Sequence, residues 1–187
     1  MRQSHVHVTI ASTQKLWHGG EKQAALLAEG IRDRGHRCTI LAHDGGKFAQ
    51  GMRDEEFEVV TFRGRGRSIP AMWKIRRSLK QLAPDVLLAN DGHALTATGI
   101  SCIGTAKQML RVAARRVDFP IRSRQKFQQF SDGIICVSNA VADVCRQSGL
   151  SHDLLHVVHD GVEPSFAESG NRQQGRASLA LSTDDVL

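Results

Sequence analysis

The sequence predicts an α/β fold, a doubly wound and mainly parallel sheet with helices on both faces. Three observations predict it. Short β-branched or aliphatic runs alternate with segments of helical periodicity along most of the chain. The first three segments form a β–α–β unit, which implies parallel strands joined by a right-handed crossover. Polar residues then recur just after the strands, at the carboxyl edge where open α/β sheets bind ligands.

The elements follow in order. HVHVTIAS (5–12) is a β-branched run and reads as a strand. His5 and His7 share a face of it. No third ligand is near in sequence, so packing is expected and no metal site. WHGGEKQAALLAEGIRDRGH (17–36) opens on a Gly19-Gly20 turn, and AALLAEGIRDRG (24–35) within it reads as a helix. A glycine inside a helix costs roughly 1 kcal/mol, but at the start it costs little and lets a ligand approach the backbone. The free N–H groups there favour an anion such as a phosphate. Ala24, Leu27, Ala28 and Ile31 form the apolar face, Glu21 and Lys22 suit the first turn and solvent, and Gly35 ends the helix. A GxGxxG dinucleotide fingerprint is absent. RCTILAH (37–43) closes the first unit as a strand.

DGGKFAQGMRD (44–54) reads as a loop and short helix, FEVVTF (57–62) as a strand and RGRGRSIP (63–70) as a basic loop. AMWKIRRSLKQLA (71–83) is amphipathic, with Met72, Ile75, Leu79 and Leu82 on its apolar side, and Pro84 stops it. DVLLAN (85–90) is a buried strand, DGHALTATGISCIG (91–104) a loop and helix, and KQMLRVA (107–113) a further strand. ARRVDFPIRSRQKFQQFS (114–131) is a loop followed by a helix. DGIICVS (132–138), NAVADVCRQSG (139–149) and LHVVHDG (155–161) read as strand, helix and last strand. Ser138 or Asn139 caps the helix between them. The polar tail from 165 to 187 holds a weak helix in RASLALS (176–182).

Composition narrows the function. A chain of 187 residues, 41% hydrophobic, suits one domain with a real core. A formal charge of +6 favours an anionic partner: nucleic acid, an acidic membrane surface or a phosphorylated substrate. The chain has no tyrosine and few aromatics, so base-stacking platforms are scarce and nucleic acid is disfavoured. RGRGRS and WKIRRSLK, with Ile69, Met72 and Trp73 beside cations, suit contact with an anionic membrane or a phosphorylated glycolipid. A solvated helix face is the alternative. No apolar run reaches membrane-span length or reads as a signal peptide, so a cytoplasmic protein is expected, peripheral on the inner face of the membrane. Cys38, Cys102, Cys136 and Cys145 show no CxxC spacing; Cys38 and Cys136 fall in strands, as buried, reduced thiols do.

A set of short motifs stands in order on the βα junctions: W-x-G-G-E-K-Q at the first helix, R-G-H at its end and P-D-V-L-L before D-G-H. R-R-V-D-F-P, S-D-G-I-I-C-V-S-N-A-V and V-V-H-D-G-V-E-P follow. With them the chain resembles the N-terminal, acceptor-side half of a retaining GT-B glycosyltransferase, family 4-like and of the cell-envelope or lipopolysaccharide type. The resemblance covers about Val6 to Phe166. It implies a Rossmann-like domain over 1–166 and, over 167–187, a linker toward a C-terminal donor-binding domain. No segment here corresponds to that second domain, with its basic residue and paired glutamates.

The resemblance also implies roles. Gly19 and Gly20 approach the phosphate of a nucleotide sugar, which is a donor substrate rather than a cofactor. Asp91 and His93 belong to an acceptor loop; the additional histidines of relatives fall here at Leu88 and Asn90. His93 either bonds the acceptor or makes a helix-start contact. Arg115 and Arg116 bind acceptor phosphates bidentately, and Asp118 is the catalytic candidate, orienting the acceptor hydroxyl or accepting its proton. The alternative for that loop is an internal Arg–Asp ion pair. Ser138 and His159 line the cleft, Ser138 mainly as a cap. The implied activity is hexose transfer to a lipopolysaccharide-core or phosphorylated lipid acceptor, with this half inactive alone. The rival reading is a non-catalytic truncated product or interaction subunit that needs a donor-binding partner.

Overall fold

The computed structural model of the chain describes residues 5–64, 68–105, 109–162, 172–180 and 182. Seven strands form one sheet: β1 (His7–Ser12), β2 (Arg37–His43), β3 (Glu58–Phe62), β4 (Val86–Ala89), β5 (Leu110–Arg115), β6 (Gly133–Cys136) and β7 (Leu155–Val157). The helices are α1 (Gly19–Asp33), α2 (Lys47–Asp54), α3 (Ile69–Leu82), α4 (Gly92–Cys102), α5 (Arg124–Phe130), α6 (Asn139–Gln147) and, in the tail, α7 (Arg172–Ser178).

The spatial order is β3-β2-β1-β4-β5-β6-β7, and every pairing is parallel. Parallel neighbours need long crossovers, and the helical segments supply them. One core layer joins α1 and α2 to the sheet through Ile10, Ala24, Ala28, Ile40, Phe48 and Met52. The other joins α3 to α6 through Leu41, Ile75, Leu95, Phe127, Ile134 and Val141. The strand order reverses between β1 and β4. Connections leave those two strands in opposite directions, and a crevice opens at their carboxyl ends.

Some sequence expectations shift. In α1 the buried face is Glu21, Ala24, Ala25 and Ala28, whereas Leu27 is 39% exposed. Three alanines let the helix lie close to β1 and β2, so the wider leucine turns outward. In α3 the buried residues are Ala71, Ile75, Ser78 and Leu79, and Met72 and Leu82 are only half-buried. The fifth strand runs three residues later than expected at its visible start, from Leu110, and residues 106–108 lie outside the described set. So do 65–67 of the basic loop, 163–171 and 183–187, which hold most of the expected linker. The tail helix falls at Arg172–Ser178, earlier than the 176–182 read from sequence.

His5 Nδ1 lies 2.7 Å from Gly35 O on an exposed residue, and His7 Nε2 lies 2.9 Å from Thr39 Oγ1 on a half-buried one, so each ring is hydrogen-bonded to a neighbour. Among the described residues no group of three His, Cys, Asp or Glu comes together as metal ligands do. No described helix is long and apolar enough to cross a membrane. Burial pushes the thiols of Cys38 and Cys136 up to about 12, which keeps them out of thiolate chemistry at neutral pH.

Candidate active site

A cavity of about 420 Å³ occupies the crevice at the β1/β4 reversal. Gln14, His18, Gly20, Asn90, Arg115 and Lys126 line it. Its floor is a polar network built from the ends of β1, β4 and β5.

Asn90, 6% exposed, is the hub. It follows β4, and its backbone N–H donates to Ala11 O (2.8 Å), so the strand pairing itself places the side chain. Its amide nitrogen donates to Gly20 O (3.1 Å) and Glu21 Oε1 (3.3 Å). Its carbonyl oxygen accepts from Arg116 Nη1 at 2.6 Å. All the polar atoms of this buried amide are engaged, as burial requires.

Glu21 corrects the expectation of a solvent-facing residue: it is 2% exposed. Oε1 accepts from Ser12 Oγ at 3.0 Å and from Asn90, and Oε2 accepts from the His18 N–H at 3.3 Å. The last bond is half of a capping box, which fixes the start of α1. Burial is compensated here by three donors, each from a different element.

Around this network the expected site residues take different parts. Gly19 and Gly20 are the first residues of α1. Among the described residues their N–H groups find no acceptor, and a Cβ built on Gly19 meets nothing within 4 Å. That is an open, donor-rich helix start of the kind phosphates occupy. Asp91 lines the cavity, but its carboxylate caps α4 through the N–H groups of His93 (2.8 Å) and Ala94 (2.9 Å). It also accepts from Thr13 N and Thr13 Oγ1, both at 2.9 Å. Asp91 thus ties the loop after β1 to α4. The His93 backbone makes the helix-start contact, and its ring is exposed.

Arg116 is held inward by Asn90 and by Asp160, whose carboxylate lies 3.3 Å from Nε. Arg115 donates through Nη2 to Phe119 O and lines the cavity. Asp118 is exposed, one residue beyond the lining residue Val117, and no hydrogen bond or ion pair reaches it among the described residues. The internal pair between Asp118 and the neighbouring arginines is therefore not formed: Arg116 uses Asp160 instead. Ser138 caps α6 by accepting from Val141 N at 3.2 Å. His159 donates from Nδ1 to Val137 O (3.0 Å) and lines a separate hollow of about 240 Å³ with Leu27, Leu88 and Asp160. Arg116 borders both spaces.

Sequence reasoning missed Glu21, Asn90, Gln14 and Lys126 as site residues. The signals were slight: a polar residue ending the apolar run DVLLAN, and a glutamate three places after the helix cap. Lys126 comes from α5, far along the chain from the other three, and lies over the Phe127 ring at 5.2 Å.

The arrangement brings cations and open backbone donors to a cavity whose two carboxylates are bonded internally. It favours anionic ligands. An all-parallel, Rossmann-like sheet with a crevice at its β1/β4 reversal is the architecture of one half of a GT-B fold. Residues 17–166 match the model of Glycosyltransferase Family 4, and the chain belongs to that family. Solved structures agree in fold. The HepE protein of Anabaena, determined with UDP-glucose, superposes with a TM-score of 0.74 at 18% identity, over 94% of this chain and 50% of that one. A glycosyltransferase of Rickettsia africae gives 0.70 at 12% identity, covering 97% of this chain and 51% of that one. The lipopolysaccharide outer core galactosyltransferase WaaB gives 0.64 at 13%, covering 84% and 46%. The chain spans about half the length of these structures. No curated protein matches its sequence significantly.

Proposed function

We propose that the chain is the acceptor-binding half of a nucleotide-sugar-dependent glycosyltransferase, which transfers a hexose to a lipopolysaccharide-core or phosphorylated lipid acceptor. The carrying observation is the cavity at the β1/β4 reversal, open on one side and lined by Arg115, Lys126 and the glycine start of α1. The donor's phosphate rests on the Gly19 and Gly20 N–H groups, and the acceptor lies along Arg115 and the Asp91–His93 loop. Positioning and phosphate-charge stabilisation supply the rate, with no resident cofactor or metal. Asp118, with no internal partner among the described residues, orients the acceptor hydroxyl or takes its proton once the acceptor fills the cavity. One wall excludes little water, so turnover needs a donor-binding half, on the same protein or on a partner. The chain works at the cytoplasmic face of an anionic membrane. Its docking face is α3, where Ile69 is 80% and Trp73 63% exposed and the Arg77 guanidinium lies 5.8 Å from the Trp73 ring centre.

One experiment tests both parts. The purified chain is mixed with labelled UDP-glucose and a lipopolysaccharide-core acceptor on phosphatidylglycerol vesicles. The chain is expected to sediment with the vesicles, to be released by salt as screening grows, and to transfer no sugar. Efficient transfer would overturn the half-enzyme reading. A chain that stays in the supernatant at low salt would overturn the membrane contact.

A further inference from the structure

The site cavity does not end at α5. A second hollow of about 300 Å³ adjoins it, and Arg115, Lys126 and Phe127 line both. The outer hollow adds Phe119, Ile121 and Arg122. Among the described residues its charged lining is Arg115, Arg122 and Lys126, with no carboxylate. Bringing like charges together is unfavourable unless an anion joins them.

Arg115 carries the second observation. Its Nη2 is committed to Phe119 O, which fixes the guanidinium at the turn. Its Nε is buried and has no hydrogen-bond partner among the described residues. A buried N–H left unpaired costs about 1–3 kcal/mol, so such groups mark places where a ligand or water completes the bonding. Phe119, 68% exposed, adds an apolar face at the same rim. A sugar ring presents C–H groups to such a face, and its phosphate presents three oxygens to the cations.

We propose that the outer hollow is a phosphate subsite, formed by Arg115, Arg122 and Lys126, that takes the phosphate of a phosphorylated sugar acceptor whose ring lies against Phe119 and reaches into the site cavity. This rests on the acceptor reading above. It moves phosphate recognition away from Arg116, whose guanidinium is held by Asn90 and Asp160.

The test is a calorimetric titration of the 187-residue chain with glucose 6-phosphate, glucose and inorganic phosphate. Glucose 6-phosphate should bind at least about tenfold more tightly than glucose, and inorganic phosphate should compete with it. Arg122 is exposed, so Arg122→Ala keeps the fold. That variant should weaken glucose 6-phosphate about tenfold and leave glucose unchanged. Arg63→Ala removes the same charge from a side chain that is 90% exposed and pairs with Asp44 instead; it should change neither. Equal binding of the two sugars, or equal effects of the two variants, would overturn the subsite while glucose binding leaves the acceptor reading intact. Failure of both sugars to bind would overturn both. Vesicles rich in phosphatidic acid separate the sources of the phosphate. If they displace glucose 6-phosphate the group belongs to a lipid headgroup; if they do not, it belongs to a soluble sugar phosphate. Either result supports the phosphate chemistry.

Discussion

Glu21→Ala should lower stability by about 3 kcal/mol and empty the cavity of its order. The carboxylate is 2% exposed and accepts from Ser12, Asn90 and His18. Truncation leaves those donors facing a void, and unmade buried hydrogen bonds cost more than made ones contribute. Two opposing effects are small beside this. Alanine improves helix propensity by only a few tenths of a kcal/mol, and loss of the cap at His18 removes that gain. For a chain of this size the melting temperature should fall by about 6–12 °C. Glu21→Gln is the informative partner. It keeps the shape but turns one acceptor into a donor, so Ser12 and Asn90 stay satisfied and the His18 N–H does not. Its loss should be about half as large. Urea unfolding with an unchanged m-value would verify the order wild type, Gln, Ala. An alanine variant as stable as the wild type would show that the network does not hold the start of α1.

Gly99→Ala should be the most damaging glycine substitution. In α4 a new Cβ would lie 2.2 Å from Phe130 Cγ and 2.5 Å from Phe130 Cβ. The Phe130 Cβ is fixed to the backbone of α5, so a rotamer change cannot clear it. Alanine gains about 1 kcal/mol of helix propensity over glycine. Overpacking a tight helix contact typically costs about 1–3 kcal/mol and forces backbone movement, so the clash wins. The shift would carry Lys126 and Phe127, on the same short helix, away from both hollows. The variant should therefore lose phosphate-sugar affinity as well as stability, measured by the same titration and by thermal melting. Gly175→Ala gives the contrast: a Cβ there meets nothing within 4 Å among the described residues, so the propensity gain is what remains. Equal melting temperatures for the two variants would contradict the close α4–α5 contact.

The sheet was legible because its information is local. RCTILAH at 37–43 coincides with β2, and Pro84 stops α3 at the residue pattern that says it must. The strand order itself, β3-β2-β1-β4-β5-β6-β7, was not legible: right-handed crossovers only fix which face each helix covers once that order is set. The site was legible only in outline. Strand ends located Gly19, Asp91, Arg115 and Arg116, but periodicity carries no sign that Glu21 is roofed by Asn90, 69 residues away. The same holds for Arg116, which spans Asn90 and Asp160, and for the inward turn of three alanines that leaves Leu27 outside. Tertiary bonds between distant polar residues decide those positions, and each residue taken singly reads as a surface group.

The most direct measurement is amide shift mapping of the chain with a phosphorylated lipopolysaccharide-core oligosaccharide. Binding at the β1/β4 reversal predicts saturable shifts at Gly20, Gly92, Arg115 and Val117 that vanish at high salt. Shifts confined to α3 and its basic flank, with those four amides unmoved, would contradict an acceptor site in the cavity.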